Sequence, residues 1–369
     1  MEEQLYKKFV IISSMFGIFA IVVVALFMFG QTGMERVSAL AKENAVKREQ
    51  KAEEQAKKQI EEANSNLIIP LPKEIKETDV TVEDIYMDQT VKVTITGIWS
   101  TFFEQKRPKG SQEFVDAVYY DVTDNTTQIY IALNELCERQ VKFTENEMQF
   151  AFTPARELYD KIVVIDAGHG GASSGNSAYG MYEKDITLSI ANKLKELFKQ
   201  TDIKVYYTRT GDVNPSLEER AGLANASEAD LFISIHVNAD ESTRTTTGVS
   251  TTYSRGDTKG TLTSQKLAEL LQKEVVAKTE TDDNGIILLQ GENELLSDIQ
   301  VPAAMTEIGY LTNKQEAIRM ASEAYKERVA EGIYEAVLDA FETVGKETEN
   351  EIGKEIEKEP EKVSTDDEQ

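Results

Sequence analysis

The spacing of hydrophobic residues changes near residue 158 and separates two structured parts of the chain. Before that point, segments such as "TVKVTITGI", "QIYIAL" and "MQFAF" alternate hydrophobic and polar residues. This period of two is typical of strands with one buried face. It predicts a small all-β, sandwich-like module over residues 68–157, with about six or seven short strands.

After residue 158, continuous hydrophobic runs alternate with segments of helical periodicity. "KIVVID", "DLFISIHVNA" and "VPAAMTEIGYL" predict buried strands, while "DITLSIANKLKELFKQ" and "TLTSQKLAELLQKEVVAK" predict helices. Strands that alternate with helices indicate an α/β domain, here a largely parallel sheet flanked by helices over residues 158–343. The stretch between Thr279 and Gln300 is expected to be rich in helix.

Three further segments are predicted outside these two parts. The uncharged run "FVIISSMFGIFAIVVVALFMF" in residues 9–30 would form a helix of about 31 Å, long enough to cross a bilayer. No cleavage site follows it, so it predicts an uncleaved transmembrane anchor after a cytoplasmic N-terminus, residues 1–8. Residues 31–67, rich in Ala, Glu, Lys and Gln, predict a helical stalk that is either a solvated spacer or a homodimeric coiled coil. Residues 344–369 predict an acidic disordered tail.

The composition excludes one class of partner. The chain has 40 basic and 65 acidic residues, a net charge of -25 and no basic stripe, so nucleic acid is not expected to bind. Hydrophobic residues make up 40% of the chain, which is enough for folded domains. The single cysteine, Cys137, excludes an internal disulfide. It and the single tryptophan, Trp99, are expected to be core residues, with stacking on a ligand as the alternative for Trp99.

Histidine is scarce, and both histidines stand at the end of a predicted strand. His169 follows "IVVID" and His236 closes "LFISI". Because ligands bind at the carboxyl ends of strands in open α/β sheets, both imidazoles are expected at one edge of the sheet, and two converging imidazoles suggest zinc. Glu183 is the candidate third ligand, with a role at a helix N-terminus as the alternative. Glu307 is the candidate general base, with a salt bridge or a surface-facing side chain as its alternative.

Seven separated blocks then resemble one family. The blocks, in order, are "DAGHGG", "EKD", "YYTR", "SLEER", "ANASEADLFISIHVNA", "GVSTTY" and "VPAAMTEIGYLTN". Over residues 161–341 they resemble the zinc-dependent N-acetylmuramoyl-L-alanine amidases, which hydrolyse peptidoglycan. The resemblance implies that His169, Glu183 and His236 bind Zn2+ and that Glu307 is the catalytic acid and base. It also implies that a metal-bound water attacks the amide bond between N-acetylmuramic acid and L-alanine.

Two positions depart from the family pattern. Ala167 stands where the family usually has proline, and Asn284 with Gly285 stands where it has Arg-Gly. A substrate-contacting arginine is therefore expected to be missing. The glycines of "GHGG" are expected to let the backbone turn sharply and the glycan strand approach.

Four other residues match letters of the family motifs. Asp166 and Asn238 are of types that often cap backbone groups near the ends of strands, and a role in supporting the metal ligands stays open for both. For Arg209 and Arg220, a solvated or ion-paired position at the surface and a contact with substrate both stay open.

The segments and the resemblance together predict a membrane-anchored hydrolase of the cell wall. Because peptidoglycan lies outside the cytoplasmic membrane, we expect a single-pass protein whose catalytic domain faces the wall. The β-rich module loosely resembles wall-targeting sandwiches, and a plain spacer is its alternative. Two rival functions are a catalytically inactive amidase-like module that binds the wall or regulates other enzymes, and a nucleotide-binding enzyme. The second rival lacks the lysine of the phosphate-binding loop.

Overall fold

The structure, a computed structural model, describes residues 67–97, 100–110, 113–123, 125–254, 262–290 and 295–358. The predicted N-terminal residues 1–8, the anchor and all but the last residue of the predicted stalk lie outside these ranges, as does Trp99. Within the described ranges, no helix is both long enough and apolar enough to cross a membrane.

Residues 67–154 form mainly antiparallel strands. They are β1 (Leu67–Pro70), β2 (Val80–Ile85), β3 (Thr90–Thr96), β4 (Val115–Thr123), β5 (Thr126–Leu133), β6 (Cys137–Phe143) and β7 (Glu147–Pro154), with the short helix α1 (Ser100–Gln105) between β3 and β4. One sheet has the order β1-β7-β6 and the other β2-β3-β5-β4. Every second residue of β5 is buried, as the alternation predicts. The inward side chains of both sheets share one core, which includes Ile129, Phe150 and Cys137.

A six-stranded sheet organises the rest of the described chain. Its strands are β8 (Ile162–Ala167), β11 (Lys204–Tyr207), β12 (Leu231–Asn238), β13 (Val249–Tyr253), β14 (Asp283–Leu288) and β15 (Ala303–Tyr310); β9 (Ser177–Ala178) and β10 (Met181–Tyr182) form a separate hairpin. The order is β11-β8-β12-β15-β13-β14. Neighbouring strands are parallel except β13 and β15. The predicted largely parallel sheet is therefore confirmed, with one antiparallel pair.

Helices cover both faces of this sheet. They are α2 (Ala155–Leu158), α3 (Glu183–Phe198), α4 (Leu217–Ala226), α5 (Ser264–Thr279), α6 (Lys314–Ala321) and α7 (Glu323–Lys358). Val163 of β8 packs in one core with α3, α5 and α7, whereas Val164 packs in a second core with α4, because successive strand residues point to opposite faces. Polar caps start three of these helices; Ser216, for example, accepts a hydrogen bond from the backbone of Glu219.

Part of the second core comes from the β-rich module. Leu136, which precedes β6, packs in the same cluster as Ile162 of β8. Beside it, the carboxylate of Glu138 accepts hydrogen bonds from the hydroxyl of Tyr206 and from the Nζ of Lys204, both at 2.6 Å. The module is thus attached to the edge strand β11 by a charged and aromatic contact.

Two local predictions differ from the structure. The stretch after Thr279 was expected to be helical, but Asp283–Leu288 is a strand that pairs with β13, because the β-branched Ile286 and Ile287 suit an edge strand. Disorder was expected from residue 344, but α7 continues to Lys358. Glu and Lys are strong helix formers, so the helix continues beyond Ala340, which is fully buried. Residues 359–369 are outside the described ranges.

Candidate metal centre

The three side chains predicted as zinc ligands meet at the carboxyl ends of β8 and β12. His169 lies on the turn after β8, His236 near the end of β12, and Glu183 is the first residue of α3. The carboxylate lies between the two rings: its Oε2 is 3.3 Å from His169 Nε2 and its Oε1 is 2.8 Å from His236 Nδ1. One ligand atom from each of the three side chains lies within 4.8 Å of the other two.

Further hydrogen bonds set the orientation of two of these side chains. The Nδ1 of His169 is 3.0 Å from the hydroxyl of Ser173, which leaves Nε2 facing the centre. Both oxygens of Glu183 accept backbone hydrogen bonds, Oε2 from Asn176 at 2.7 Å and Oε1 from Val237 at 2.9 Å. Partners of this kind orient the ligands of metal sites before the ion binds.

The donor set fits a zinc ion. Two imidazoles and one carboxylate form one of the ligand sets of catalytic zinc, with a position left open for water. In a tetrahedral site with zinc–ligand bonds of about 2.0–2.1 Å, two ligand atoms lie about 3.4 Å apart. The distance between His169 Nε2 and Glu183 Oε2, 3.3 Å, is close to this value. Burial alone would raise the pKa of Glu183, but hydrogen bonds from His169 and His236 outweigh it and hold the pKa below its usual range. The carboxylate is therefore ionised, as a metal ligand must be.

Glu307 lies beside these ligands on β15. It is paired in register with His236 on the neighbouring strand β12. Its Oε2 is buried and has no hydrogen-bond partner in the part of the chain that the structure describes. Burial raises the pKa of Glu307 to about 7, although the nearby His236 opposes the rise. A pKa near neutrality suits a group that accepts a proton and then returns it.

The glycine-rich turn makes room for protein groups. His169 itself has the left-handed φ of 61°, and the next residue, Gly170, has a φ of 131°, so the sharp turn predicted from the sequence is present. A Cβ atom on Gly168 would lie 2.5 Å from the ring of His236, and one on Gly170 would lie 1.9 Å from the carbonyl oxygen of Val213. The protein itself occupies the space where a Cβ atom on either glycine would lie, and the approach of the glycan strand stays a prediction.

Asp166 and two arginines are buried beneath this turn. Asp166 is 0% exposed, Arg220 2% and Arg209 3%, so the surface position left open for the arginines is wrong. Arg220 donates to the Oδ1 of Asp166 at 2.5 Å and to the carbonyl of His169 at 2.9 Å. Burial alone would raise the pKa of Asp166, but Arg220 and the hydroxyl of Ser234 more than offset it, and the pKa lies below its usual range. Asp166 therefore belongs to a buried ion pair and is not a backbone cap.

The other motif positions have local roles. The side chain of Asn238 accepts a hydrogen bond from the backbone of Ala239 at 2.7 Å, which is the capping role predicted for it. Asn284 lies on the edge strand β14 and donates to the carbonyl of Thr247 at 2.7 Å. The carbonyl of Ala167, at the position where the family usually has proline, accepts the Nε of a buried arginine at 2.8 Å.

Gly175 is a site residue that the sequence reasoning did not single out. Its φ is 63°, and a Cβ atom there would lie 2.5 Å from His169 Cδ2 and 2.6 Å from Glu183 Oε2. Only a glycine allows the two ligands to approach each other at this point. The available signal was the small-residue run "ASSG" between the first two ligands, which also contains Ser173.

Comparisons with known proteins agree on one family. Residues 163–339 match the sequence family described as N-acetylmuramoyl-L-alanine amidase. The chain is 33% identical over 183 residues to the uncharacterized protein YqiI of Bacillus subtilis, covering 50% of this chain and 86% of YqiI. It is 29% identical over 202 residues to the germination-specific N-acetylmuramoyl-L-alanine amidase of Bacillus subtilis, covering 51% of this chain and 83% of that protein. A crystal structure of N-acetylmuramoyl-L-alanine amidase from Clostridium difficile 630 is 39% identical, with a TM-score of 0.46, covering 49% of this chain and 97% of the other.

Proposed function

This chain belongs to the N-acetylmuramoyl-L-alanine amidase family, and we propose that it hydrolyses the amide bond between N-acetylmuramic acid and L-alanine of peptidoglycan with the help of zinc. Family membership supports the reaction and the substrate class. The observation that carries the zinc chemistry is the convergence of His169, Glu183 and His236 within 4.8 Å, with Glu307 on the adjoining strand.

The proposed roles follow from the positions of these side chains. His169, Glu183 and His236 would hold the ion, which when bound would activate a water molecule and polarise the amide carbonyl. The carboxylate of Glu307 accepts a proton from the attacking water and later donates it to the amine of the departing L-alanine. Its unpartnered, buried Oε2 supports this role, because no hydrogen bond within the described residues has to break before it accepts the proton.

A catalytically inactive module that binds the cell wall is the alternative. Such a module would need a surface that binds the cell wall, but it would not need a group that transfers a proton. The desolvated carboxyl of Glu307 destabilises the folded protein, and a module that only binds the wall has no use for such a group, so its presence supports an active enzyme. Metal content and product release together separate the two functions.

The test is digestion of purified peptidoglycan sacculi by the wild type and by Glu307→Ala, with the opened bond identified by mass spectrometry. We expect digestion by the wild type to produce free carboxyl groups on N-acetylmuramic acid and free amino groups on L-alanine. Glu307→Ala should be inactive while it still binds zinc. Glu269→Ala, on the exposed side of α5, is the matched control and should remain active. A wild type that binds the wall but cleaves nothing would support the inactive module.

We also propose that the catalytic domain faces the cell wall from the outer side of the membrane. The apolar run in residues 9–30 and the location of peptidoglycan support this topology. Protease treatment of intact protoplasts should remove the catalytic domain, and its full protection would contradict the proposal. Wall targeting by the β-rich module and a homodimer through the stalk stay predictions.

A further inference from the structure

Arg209 is a buried arginine at the base of the metal centre, and its bonds go to the segments that carry two of the ligands. Its Nε donates to the carbonyl of Ala167 at 2.8 Å. Its Nη2 donates to the carbonyl of Gly168 at 2.9 Å and to the carbonyl of Lys184 at 2.8 Å. Gly168 immediately precedes His169, and Lys184 immediately follows Glu183.

One guanidinium nitrogen therefore bridges the residue before the first ligand and the residue after the second. Thr187, a buried residue of α3, reinforces the same connection. Its hydroxyl donates to the carbonyl of Gly168 at 2.9 Å and lies 3.1 Å from the Nη2 of Arg209. The turn after β8 and the first turn of α3 are consequently held at a set distance.

Within the described ranges, Arg209 makes no salt bridge, and the carboxylates of Asp166, Asp185 and Asp212 stabilise its charge only from a greater distance. All its hydrogen bonds within the described ranges go to neutral oxygens, since the nearby buried carboxylate of Asp166 is bound by Arg220. Burying a cation without a paired anion is costly. A positive charge below a cation site also opposes binding of the metal electrostatically, so the advantage of an arginine at this position must be geometric.

We propose that Arg209 is a positioning residue of the metal centre, which sets the separation of His169 and Glu183 before the ion binds. The proposal rests on the proposed function in assuming that the centre binds zinc. A lysine has one nitrogen in place of the planar fork of arginine and cannot reach the carbonyls on both segments with the same geometry. Arg209→Lys should therefore keep the buried charge but lose the bridge.

The test measures zinc affinity of the full-length protein by competition with a chromogenic chelator, together with the melting temperature of the metal-free protein. Arg209→Lys should raise the Kd for zinc about 10- to 100-fold, the range for residues that orient metal ligands. Arg319→Lys, exposed on α6, is the matched control and should leave the Kd unchanged. Leu271→Ala, buried in α5, controls for general loss of stability and should lower the melting temperature without changing the Kd.

The outcomes separate this proposal from the proposed function. A wild type that binds no zinc contradicts the proposed function. If the wild type binds zinc and Arg209→Lys binds it equally well, Arg209 has only a structural role and the inference is overturned. If Arg209→Lys does not fold, Thr187→Val is the deciding variant. We expect it to raise the Kd for zinc about 10-fold, the lower end of the range for residues that orient metal ligands, and an unchanged Kd overturns the inference.

Discussion

Replacing Glu307 by glutamine should remove the activity and, at the same time, stabilise the metal-free protein at high pH. Glutamine has nearly the same shape but cannot ionise or carry a proton between water and the leaving amine. Loss of a general base and acid lowers the rate about 10²- to 10⁴-fold. The effect on stability follows from the burial of the carboxyl.

The size of the stability effect follows from the raised pKa. Because the folded protein binds this proton more tightly than the unfolded chain, the folded state loses stability as the pH rises through the folded pKa. A shift from the ordinary 4.5 to about 7 destabilises the folded state by about 1 kcal/mol near pH 5 and about 3 kcal/mol near pH 8. The advantage of Glu307→Gln over the wild type should therefore grow by about 2 kcal/mol between those two pH values.

Urea unfolding of metal-free wild type and Glu307→Gln, between about pH 5 and pH 8, measures this difference. The change of this difference with pH matters more than its absolute value. A buried glutamine amide without a hydrogen-bond partner lowers the free energy of unfolding by an amount that does not change with pH. Glu269→Gln, on the exposed side of α5, is the control and should follow the wild type throughout. A difference between Glu307→Gln and the wild type that is constant with pH would show that Glu307 is not desolvated. Retained amidase activity in Glu307→Gln would refute its role as acid and base.

Three further substitutions test the surroundings of the centre. Gly175→Ala should abolish zinc binding in the chelator assay, because the new methyl group would lie 2.5 Å from Cδ2 of His169; unchanged affinity would contradict this packing. Arg220→Met should lower the free energy of unfolding by about 3–5 kcal/mol in urea, because it leaves Asp166 buried without its cation, and a loss below about 1 kcal/mol would contradict the buried ion pair. Glu138→Ala should lower the melting temperature without changing zinc affinity, and an unchanged melting temperature would show that its contacts do not stabilise the attachment of the β-rich module.

Much of the fold follows from the sequence because local periodicity reports which residues face a core. The alternation in "QIYIAL" corresponds to the alternate burial of β5, and the hydrophobic runs around "IVVI" and "LFISI" correspond to central strands of the sheet. The edge strand β14 was missed, since a short, half-exposed strand has little periodicity. Helix α7 was predicted too short, since polar composition alone does not distinguish a solvated helix from disorder.

The candidate site, like the fold, could be predicted only in part from the sequence. The sequence by itself determined that His169 and His236 end buried strands and made Glu183 and Glu307 candidates with open alternatives, and the family resemblance gave these two residues their roles. The tertiary structure decided that the three ligand atoms approach within 4.8 Å, because this distance depends on the order and register of strands that are far apart in the chain.

The roles of the buried polar groups were also decided only by tertiary structure. The residue type alone does not show whether Arg209 and Arg220 are exposed or buried. Nothing near them in the sequence shows that their partners are the carbonyls of residues 167–169. Likewise, the glycine at Gly168 is explained by the ring of His236, which only the pairing of β8 with β12 brings beside it. Local patterns determine which hydrophobic residues are buried, whereas long-range pairing determines which polar residues are buried with them and which groups they meet.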